Sequence, residues 1–525
     1  MTAQNETAPR YAGRHYTLQT STLPLDSAPA APRSVRSFAR RFFGSPWLWL
    51  PLICAAQCAL ALRHGLNPNA FEDEGLYVYI GHRMIQHILH GVFLPDYPGA
   101  FFSGAPGLYP VLAAMADSVG GLAAARDVSL FFACVATIAT YGIGNRLFGR
   151  AAGLIGASAF VLCGSVIYIS HFATYDSMMM ALAALAAWLA IYSAQRDGFA
   201  WAPAVALLLS LAFLTKYAGA VYAPIVIAIA AVVGWPLYGW KVVRRGLFAA
   251  VATLVICFSV IELWGRSMIP GIQSTTSSRD VLTPATGPFL LKEIAIWVGP
   301  WLVLATLGAL FRVQRQPLLV VLLLGASVIG PLDQVRIGEA TSLAKHVAFG
   351  MVFAAPLIGD LFARGFRRAR IGPRFVTAVA MVVVFALLAA TGLRYSRQFL
   401  TGWVDDTPLR PVLAKAIADH PGKKILGERY SPQRYELRQQ TAANQWYDTY
   451  YFSYDNKVDE PAYAEAIKQE YFGVIYLDQT TPFGSYVFNY LSAHHGHYRI
   501  TAKVPRYLRG HLVGHWTVYT LAPSS

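Results

Sequence analysis

Long apolar runs alternate with short basic turns from Pro46 to Leu393. Each run is close to the ~20 residues that carry an α-helix across a bilayer. The first extends over Trp47–Leu62. A polar stretch follows, and the next clear run is Val128–Asn145, ending in "NRLFGR" with Arg146 and Arg150. Later runs cover Ala151–Ile169, Met178–Ser193, a pair meeting at "FLTKYAG", Leu247–Trp264, three more bounded by "FRVQRQ" and "RGFRRARIGPR", and Phe375–Leu393. Read this way, the chain makes about eleven spans and nearly every Arg-rich turn falls on one side, as the positive-inside rule requires. Residues 107–122, "GLYPVLAAMADSVGGL", are apolar enough to complicate the count. As a span they would invert every later loop, so the pattern predicts a re-entrant or interfacial hairpin there.

The pattern changes at both ends. Residues 1–45 are rich in Ser, Ala and Pro and have no early apolar core, so a basic cytoplasmic tail without a cleavable signal peptide is expected, anchored by Arg40 and Arg41. Residues 46–394 form the membrane domain, with a first outer loop over 63–127. Residues 395–525 are polar and Tyr-rich. There "KKILGE", "YFGVIYLD", "HYRITAKVP" and "HWTVYTLA" read as strands, and "PAYAEAIKQE" and "SYVFNYLSAHH" as helices. The expected fold is a mostly α, polytopic membrane protein with a small extracytoplasmic α/β domain.

Composition supports this. Of 525 residues, 55% are hydrophobic and 14% charged, where a soluble domain carries about 25% charged residues. The net charge of +15 sits in the basic turns, so its partner is the anionic membrane surface and not nucleic acid. Cys54, Cys58, Cys134, Cys163 and Cys257 all lie inside apolar runs, which argues against a disulfide framework or a Cys metal site.

Chemistry collects on the outer side. "FEDEGLYVYIGHRMIQ" begins at Phe71 and carries Glu72, Asp73 and Glu74 ahead of an amphipathic helix expected to lie along the interface, with Leu76, Tyr79, Ile80, Met84 and Ile88 near one face. Asp176, Lys216, Arg336, Lys345 and His346 map to the same side. Ionisable groups at the hydrocarbon boundary are costly and tend to be paired or functional. A carboxylate can take the proton of an attacking hydroxyl, while a leaving phosphate needs cations nearby. The residue types therefore suit transfer from a lipid phosphate to a hydroxyl. There is no nucleophile elbow, phosphate-binding GxxxxGK[ST] loop or HExxH.

The chain resembles membrane glycosyltransferases of the GT-C fold, above all the protein O-mannosyltransferases and the lipid A aminoarabinose transferases. The likeness is carried by "DEGLYVYIGHRMIQ", by the stretch from "ARDVSLFF" through "NRLFGR" to "HFATYDSMMM", by "LAFLTKYAGAVYAPIV" and by "SLAKHVAFGMVFAAPLIG". The resemblance implies a polyprenyl-phosphate sugar donor, a hydroxyl acceptor and an extracytoplasmic site in the plasma membrane. It implies Asp73 as general base, Glu74 orienting or polarising the acceptor and Asp176 shaping the pocket. Lys216, Lys345 and His346, with Arg336, would hold the donor phosphate. It departs from the family at "SGAPGLYP", where Ala105 stands in place of a Lys; Arg266, Arg279 or Arg336 could supply that contact. No cofactor, nucleotide-sugar site or divalent metal is expected, although some relatives bind a metal.

Each residue also has a structural reading. Asp73, Glu74 and Asp176 would serve as first-turn helix acids, and Lys216 as an interfacial lysine with its ammonium reaching for water. Glu72 reads as solvated, and "HHGH" (His494, His495, His497) as a solvated loop. A flippase or carrier of the lipid-linked glycan is the competing class. It would place its charges at the bilayer midplane and show inverted repeats. A glycan ligase, leaning on basic residues of a late loop, is the other.

Overall fold

The computed structural model describes residues 46–63, 68–92, 94, 102–266, 268–276, 284–368, 371–450, 452–494 and 496–522. Arg40, Arg41, Arg279 and His495 lie outside them. The chain forms two units, Met1–Leu48, described only over its last three residues, and Trp49–Ser525.

The membrane region runs α1 (Pro46–Leu62), α2 (Glu72–His90), α3 (Tyr109–Phe148), α4 (Arg150–Val161), α5 (Gly164–Ser170), α6 (Asp176–Ala194), α7 (Ala202–Thr215) and α8 (Gly219–Tyr238). It continues with α9 (Trp240–Trp264), α10 (Met268–Thr276), α11 (Gly287–Leu310), α12 (Pro317–Ile337), α13 (Leu343–Phe349), α14 (Met351–Arg368) and α15 (Ile371–Leu400). Among the described residues seven helices are long and apolar enough to cross a membrane. Two bent pairs, α4–α5 at 71° and α13–α14 at 53°, raise this to nine if each is one span; α1 and α7 are shorter apolar helices. The protein is thus multi-pass. Helix α6 is the most deeply buried span. Its first residues, Asp176 and Ser177, are fully enclosed, which places a carboxylate inside the bundle at a helix start, where the peptide dipoles favour it.

Residues 107–122 are not a hairpin. They form the first arm of α3, joined to the second through Gly120 and Gly121, which have non-helical backbone angles. At Gly121 φ is +67°, open to glycine and strained for other residues. Helix α2 also departs from expectation. Where the pattern predicts one buried face, residues Tyr77 to Gly81 are buried all round, and the last turns, with Ile88 and Leu89, are exposed. Gly81 permits this, since a Cβ there would run into the Pro110 carbonyl of α3.

The C-terminal domain comprises α16 (Leu409–Ala418), β1 (Lys424–Gly427), α17 (Ser431–Glu436), β2 (Trp446–Asp448), the small hairpin β3 (Ser453–Tyr454) and β4 (Lys457–Val458), α18 (Asp459–Lys468), β5 (Phe472–Leu477), α19 (Pro482–Ala493), β6 (Tyr498–Leu508) and β7 (His511–Leu521). The main sheet has the order β2-β1-β5-β7-β6, with β2, β1 and β5 parallel and β7 and β6 antiparallel. All six residues of β5 are buried, which explains its unbroken apolar run as a strand covered on both faces. Leu413, Ile417 and Trp516 pack on one side, and Tyr463, Val487 and Leu491 on the other.

Helix α17 seats this domain on α2. A Cβ on Gly75 would lie 2.7 Å from the Ser431 carbonyl oxygen, so glycine is required for the approach. Asp117 of α3 fastens the junction. Its carboxylate accepts from His82 Nε2 at 2.6 Å, from the Tyr435 hydroxyl and from Arg438 Nη2 at 2.9 Å. Arg434 lies over the Tyr79 ring, 4.3 Å from its centroid. Asp117→Ala would strip an acceptor from three donors, on α2, on α17 and just after α17, and cost about 2–3 kcal/mol. Limited proteolysis would then cut between the membrane region and the C-terminal domain earlier than in the wild type; an unchanged cleavage rate would count against the clamp.

Candidate active site

The "EDE" triplet opens α2, and successive helical residues point about 100° apart. The three acids therefore face three environments. Glu74 turns inward and is fully buried. Arg126 Nε and Nη2 donate to its two oxygens at 2.8 and 2.7 Å, and the backbone N–H groups of Phe71 and Ala173 donate at 2.9 Å each. Four donors occupy the four lone-pair positions of the carboxylate. The acceptor-polarising role implied for Glu74 thus meets a group whose four acceptor positions are already engaged. It closes the helix start onto Phe71 and ties α2 to α3 and to the segment before α6. Arg126, within the stretch "GGLAAARDVSL", went unrecognised in the sequence. Its signal is a lone Arg among small residues, with neighbouring Ala125 fully buried.

Asp73 turns toward α13, where it pairs with Lys345 while keeping about a third of its side chain exposed. Lys345 itself is buried. It reaches this position from a backbone that leaves Ser342 at φ +65°, an uncommon conformation outside glycine; the Ser342 carbonyl accepts from the Lys345 and His346 N–H groups at 3.0 Å. At the start of α6, Asp176 Oδ1 accepts from Lys216 Nζ at 2.6 Å. The second Asp176 oxygen is buried and has no hydrogen-bond partner among the described residues. The Lys216 ammonium also faces the rings of Tyr175 and Phe349, at 5.0 and 5.5 Å from their centroids, an arrangement that favours a cation. Lys345 and His346 lie close enough to Asp176 for their charges to act on it. His346 Nδ1 is 2.7 Å from the Gln334 amide nitrogen, which fixes the ring.

Asp73, Asp176, Lys216, Lys345 and His346 therefore gather from three elements, α2, α6 and α13, and the residue that follows α7. Tyr77, Phe102 and Tyr175 wall the cluster on one side, with Tyr77 and Tyr175 stacked at 4.5 Å and Ser103 bonded to the Tyr175 hydroxyl at 2.8 Å. Arg336 does not join them. It is exposed, ends α12 and pairs with Asp333 at 2.8 Å. Arg266 is likewise exposed and pairs with Glu262 at 2.7 Å. No group of three or more His, Cys, Asp or Glu side chains placed to share an ion is found among the described residues.

Glu72, expected in solvent, instead faces the C-terminal domain. Its neighbours are Asp73, Arg429, Asp406 and Asp478, and it opposes Asp448 at the end of β2. Burial, then the charge of Asp73, pushes its carboxyl up to about 7, and burial, then the charge of Glu72, pushes Asp448 up to about 8. Both are raised above their ordinary values, so the folded junction holds its protons more tightly than the unfolded chain. The resulting stability is complete below the ordinary carboxyl range of about pH 4 and is lost progressively as pH rises from there through about 7 for Glu72 and about 8 for Asp448. The melting temperature of the purified protein should fall on going from about pH 6 to about pH 9, and Glu72→Gln with Asp448→Asn should flatten the curve. A slope that survives both changes would place its origin elsewhere.

Comparison with known proteins agrees with this architecture. Residues 111–264 match the family model described as dolichyl-phosphate-mannose-protein mannosyltransferase. No curated protein matches the chain in sequence. Among solved structures, ArnT from Cupriavidus metallidurans bound to undecaprenyl phosphate aligns over 91% of this chain and 99% of its own, at 13% identity and a TM-score of 0.59. The oligosaccharyltransferase AglB from Archaeoglobus fulgidus, in complex with an inhibitory peptide and a dolichol-phosphate, aligns over 84% of this chain and 70% of its own, at 11% identity and a TM-score of 0.58. The arabinofuranosyltransferase AftD from Mycobacteria aligns over 91% of this chain and 40% of its own, at 13% identity and a TM-score of 0.55. The chain is a multi-pass membrane protein of the GT-C fold, similar over residues 111–264 to the dolichyl-phosphate-mannose-protein mannosyltransferases.

Proposed function

We propose that the protein transfers a glycosyl group from a polyprenyl-phosphate-linked sugar to a hydroxyl acceptor at the extracytoplasmic face of the membrane, with inversion at the anomeric carbon. The observation that carries this reading is the pairing of two carboxylates, Asp73 and Asp176, with two buried lysines, Lys345 and Lys216, beside an aromatic wall. Charged groups at such a boundary need a reason, and a phosphate whose charge grows during the reaction supplies one. The similarity to structures described with undecaprenyl phosphate and dolichol-phosphate supports the same donor chemistry here.

In this mechanism the acceptor oxygen attacks the anomeric carbon opposite the phosphate. Its proton passes to the Asp73 carboxylate, the bond from that carbon to the phosphate oxygen breaks, and the electron pair leaves with the polyprenyl phosphate. Lys216 and Lys345 supply the cations that this developing negative charge needs. Without a donor, Lys345 neutralises Asp73. A bound phosphate competes for that lysine and frees the carboxylate to act as base, so donor binding arms the site. Asp176 holds the Lys216 ammonium in place. Glu74, through Arg126, sets the pitch of the helix that presents Asp73.

Incubating membranes with a panel of radiolabelled polyprenyl-phosphate sugars tests the reading: one member should label an acceptor, and failure of every member would overturn it. Lys216→Ala should raise the apparent KM for the donor about tenfold or more, through loss of a charge-assisted contact. An unchanged KM would remove Lys216 from the phosphate cradle.

A further inference from the structure

Strand β7 pairs with β5 only over Thr517–Thr520, whereas it pairs with β6 along its whole length. The far half of the β6–β7 hairpin therefore projects beyond the sheet. Its turn is Arg509–Gly510, with φ of +52° and +79°. Positive φ at both central residues favours Asn, Asp or Gly, and an Arg there is uncommon. Beside the turn, Tyr507, Leu512 and Val513 are 38%, 55% and 47% exposed. Successive side chains of a strand alternate between faces, so one of Leu512 and Val513 would ordinarily be covered. Here the register slips. Arg506 pairs with Gly514 and Tyr507 with Leu512, which leaves Val513 as the extra residue of a bulge. Both apolar side chains face outward as a result.

The tip is tied to the end of a membrane span. Arg509 Nε donates to the Thr401 carbonyl and hydroxyl at 3.2 and 3.1 Å, and its Nη2 donates to the Gln398 carbonyl at 3.2 Å. The Asp405 N–H donates to the Tyr507 carbonyl at 2.9 Å. Gln398 and Thr401 close α15, whose apolar stretch Arg374–Gln398 is the candidate span least enclosed by protein among the described residues. Val382, Val383 and Leu387 are exposed along it. The hairpin tip therefore stands where a lipid-facing helix leaves the hydrocarbon, at the level of the headgroups. Charge agrees with that place. Arg394 and Arg397, exposed in the last turns of α15, join Arg509 in a cationic rim suited to lipid phosphates. Exposed His511 and His515 add ring nitrogens. A second copy of the chain suits the place less well. It would add to the edge strand β6, where Arg499, Lys503 and Pro505 oppose strand addition.

We propose that the tip of the β6–β7 hairpin enters the phospholipid surface beside α15. Tyr507, Leu512 and Val513 sit in the interfacial layer, and Arg509, His511 and His515 meet the phosphates around them. The C-terminal domain is then held at two places, through α17 on α2 and through the hairpin on the lipid. The inference does not depend on the transferase reading.

The test uses full-length protein in nanodiscs of phosphatidylcholine and phosphatidylglycerol. A nitroxide is placed at position 512, or at position 503 as a control about 20 Å back along β6. A ketone-bearing amino acid carries it, which leaves the five native cysteines unlabelled. Oxygen concentrates in the acyl chains and a nickel chelate stays in water, so the ratio of their collision rates reads depth. That ratio should be severalfold higher at 512 than at 503. Arg509→Ala, which releases the tip from α15, and Val513→Asp, which carries a charge into the interface, should each lower the ratio at 512 severalfold. Both positions are exposed, so folding is not at stake. Equal ratios at 512 and 503 would place the tip in water and overturn the proposal. Slow collision with both reagents at 512 would overturn it in favour of a protein partner such as a second copy. A ratio that neither variant moves would also overturn it.

Discussion

Asp73→Asn should leave the protein folded and able to bind lipid phosphate, and lower transfer by about 10²–10⁴-fold. The substitution keeps the shape of the side chain and removes its capacity to take a proton. Apart from neutralising the buried Lys345, Asp73 carries little of the local structure. It is partly exposed, its partner is Lys345, and the helix start is held by Glu74 through Phe71 and Arg126. The variant also separates the base from the phosphate cradle. In the wild type, Lys345 must leave Asp73 to meet an incoming phosphate, whereas against an amide it gives up less. Donor binding should therefore be equal or tighter in Asp73→Asn while kcat falls. Fluorescence titration with polyprenyl phosphate and a single-turnover transfer assay read the two separately. Retained turnover would remove Asp73 from the role of base. A matching loss of lipid binding would make it part of the cradle.

How far this site could be read in advance depended on chemistry and on sequence distance. Asp73, Asp176, Lys216 and Lys345 stand out as ionisable groups at the ends of apolar runs, where desolvation makes a bystander expensive, and the fold brings them together. The strands β1, β5, β6 and β7 were legible from their apolar or alternating runs, whereas β2, β3 and β4, of two or three residues, carry too little pattern to find. The orientation of the acidic triplet was not legible. Three consecutive acids on a helix look outward in three directions, and only the neighbours decide that Glu74 is buried and Glu72 faces Asp448. The first arm of α3 was misread because Gly120 and Gly121 mimic a chain reversal when they in fact kink a helix. The same error hid Arg126 and Asp117, which read as polar residues of an outer loop. Their partners lie 52 residues away at Glu74 and more than 300 away at Tyr435 and Arg438. Local pattern carries no trace of such pairs. Arg336 shows the converse: a basic residue beside an apolar run that the fold leaves on the surface with Asp333.

Arg126→Ala should be the most destabilising of the changes considered. It leaves the Glu74 carboxylate enclosed without its cation, an arrangement that costs about 3–5 kcal/mol. It also frees the Asn69 carbonyl and the entry to α2. Folded protein recovered from membranes should fall sharply, and what remains should unfold at lower temperature. The informative experiment is the cycle with Glu74→Gln. Alone, Glu74→Gln strands a buried guanidinium and is costly as well. Combined with Arg126→Ala it removes both charges, and an amide can still accept from the Phe71 and Ala173 N–H groups, so part of the stability should return. The same cycle separates positioning from contact with substrate. If Glu74 acts only by holding α2, transfer per folded molecule in Glu74→Gln should stay within about tenfold of the wild type, well short of the loss expected for removing the base. If turnover collapses in Glu74→Gln while the melting temperature holds, Glu74 touches the acceptor after all, and the four hydrogen bonds that enclose it must open during the reaction.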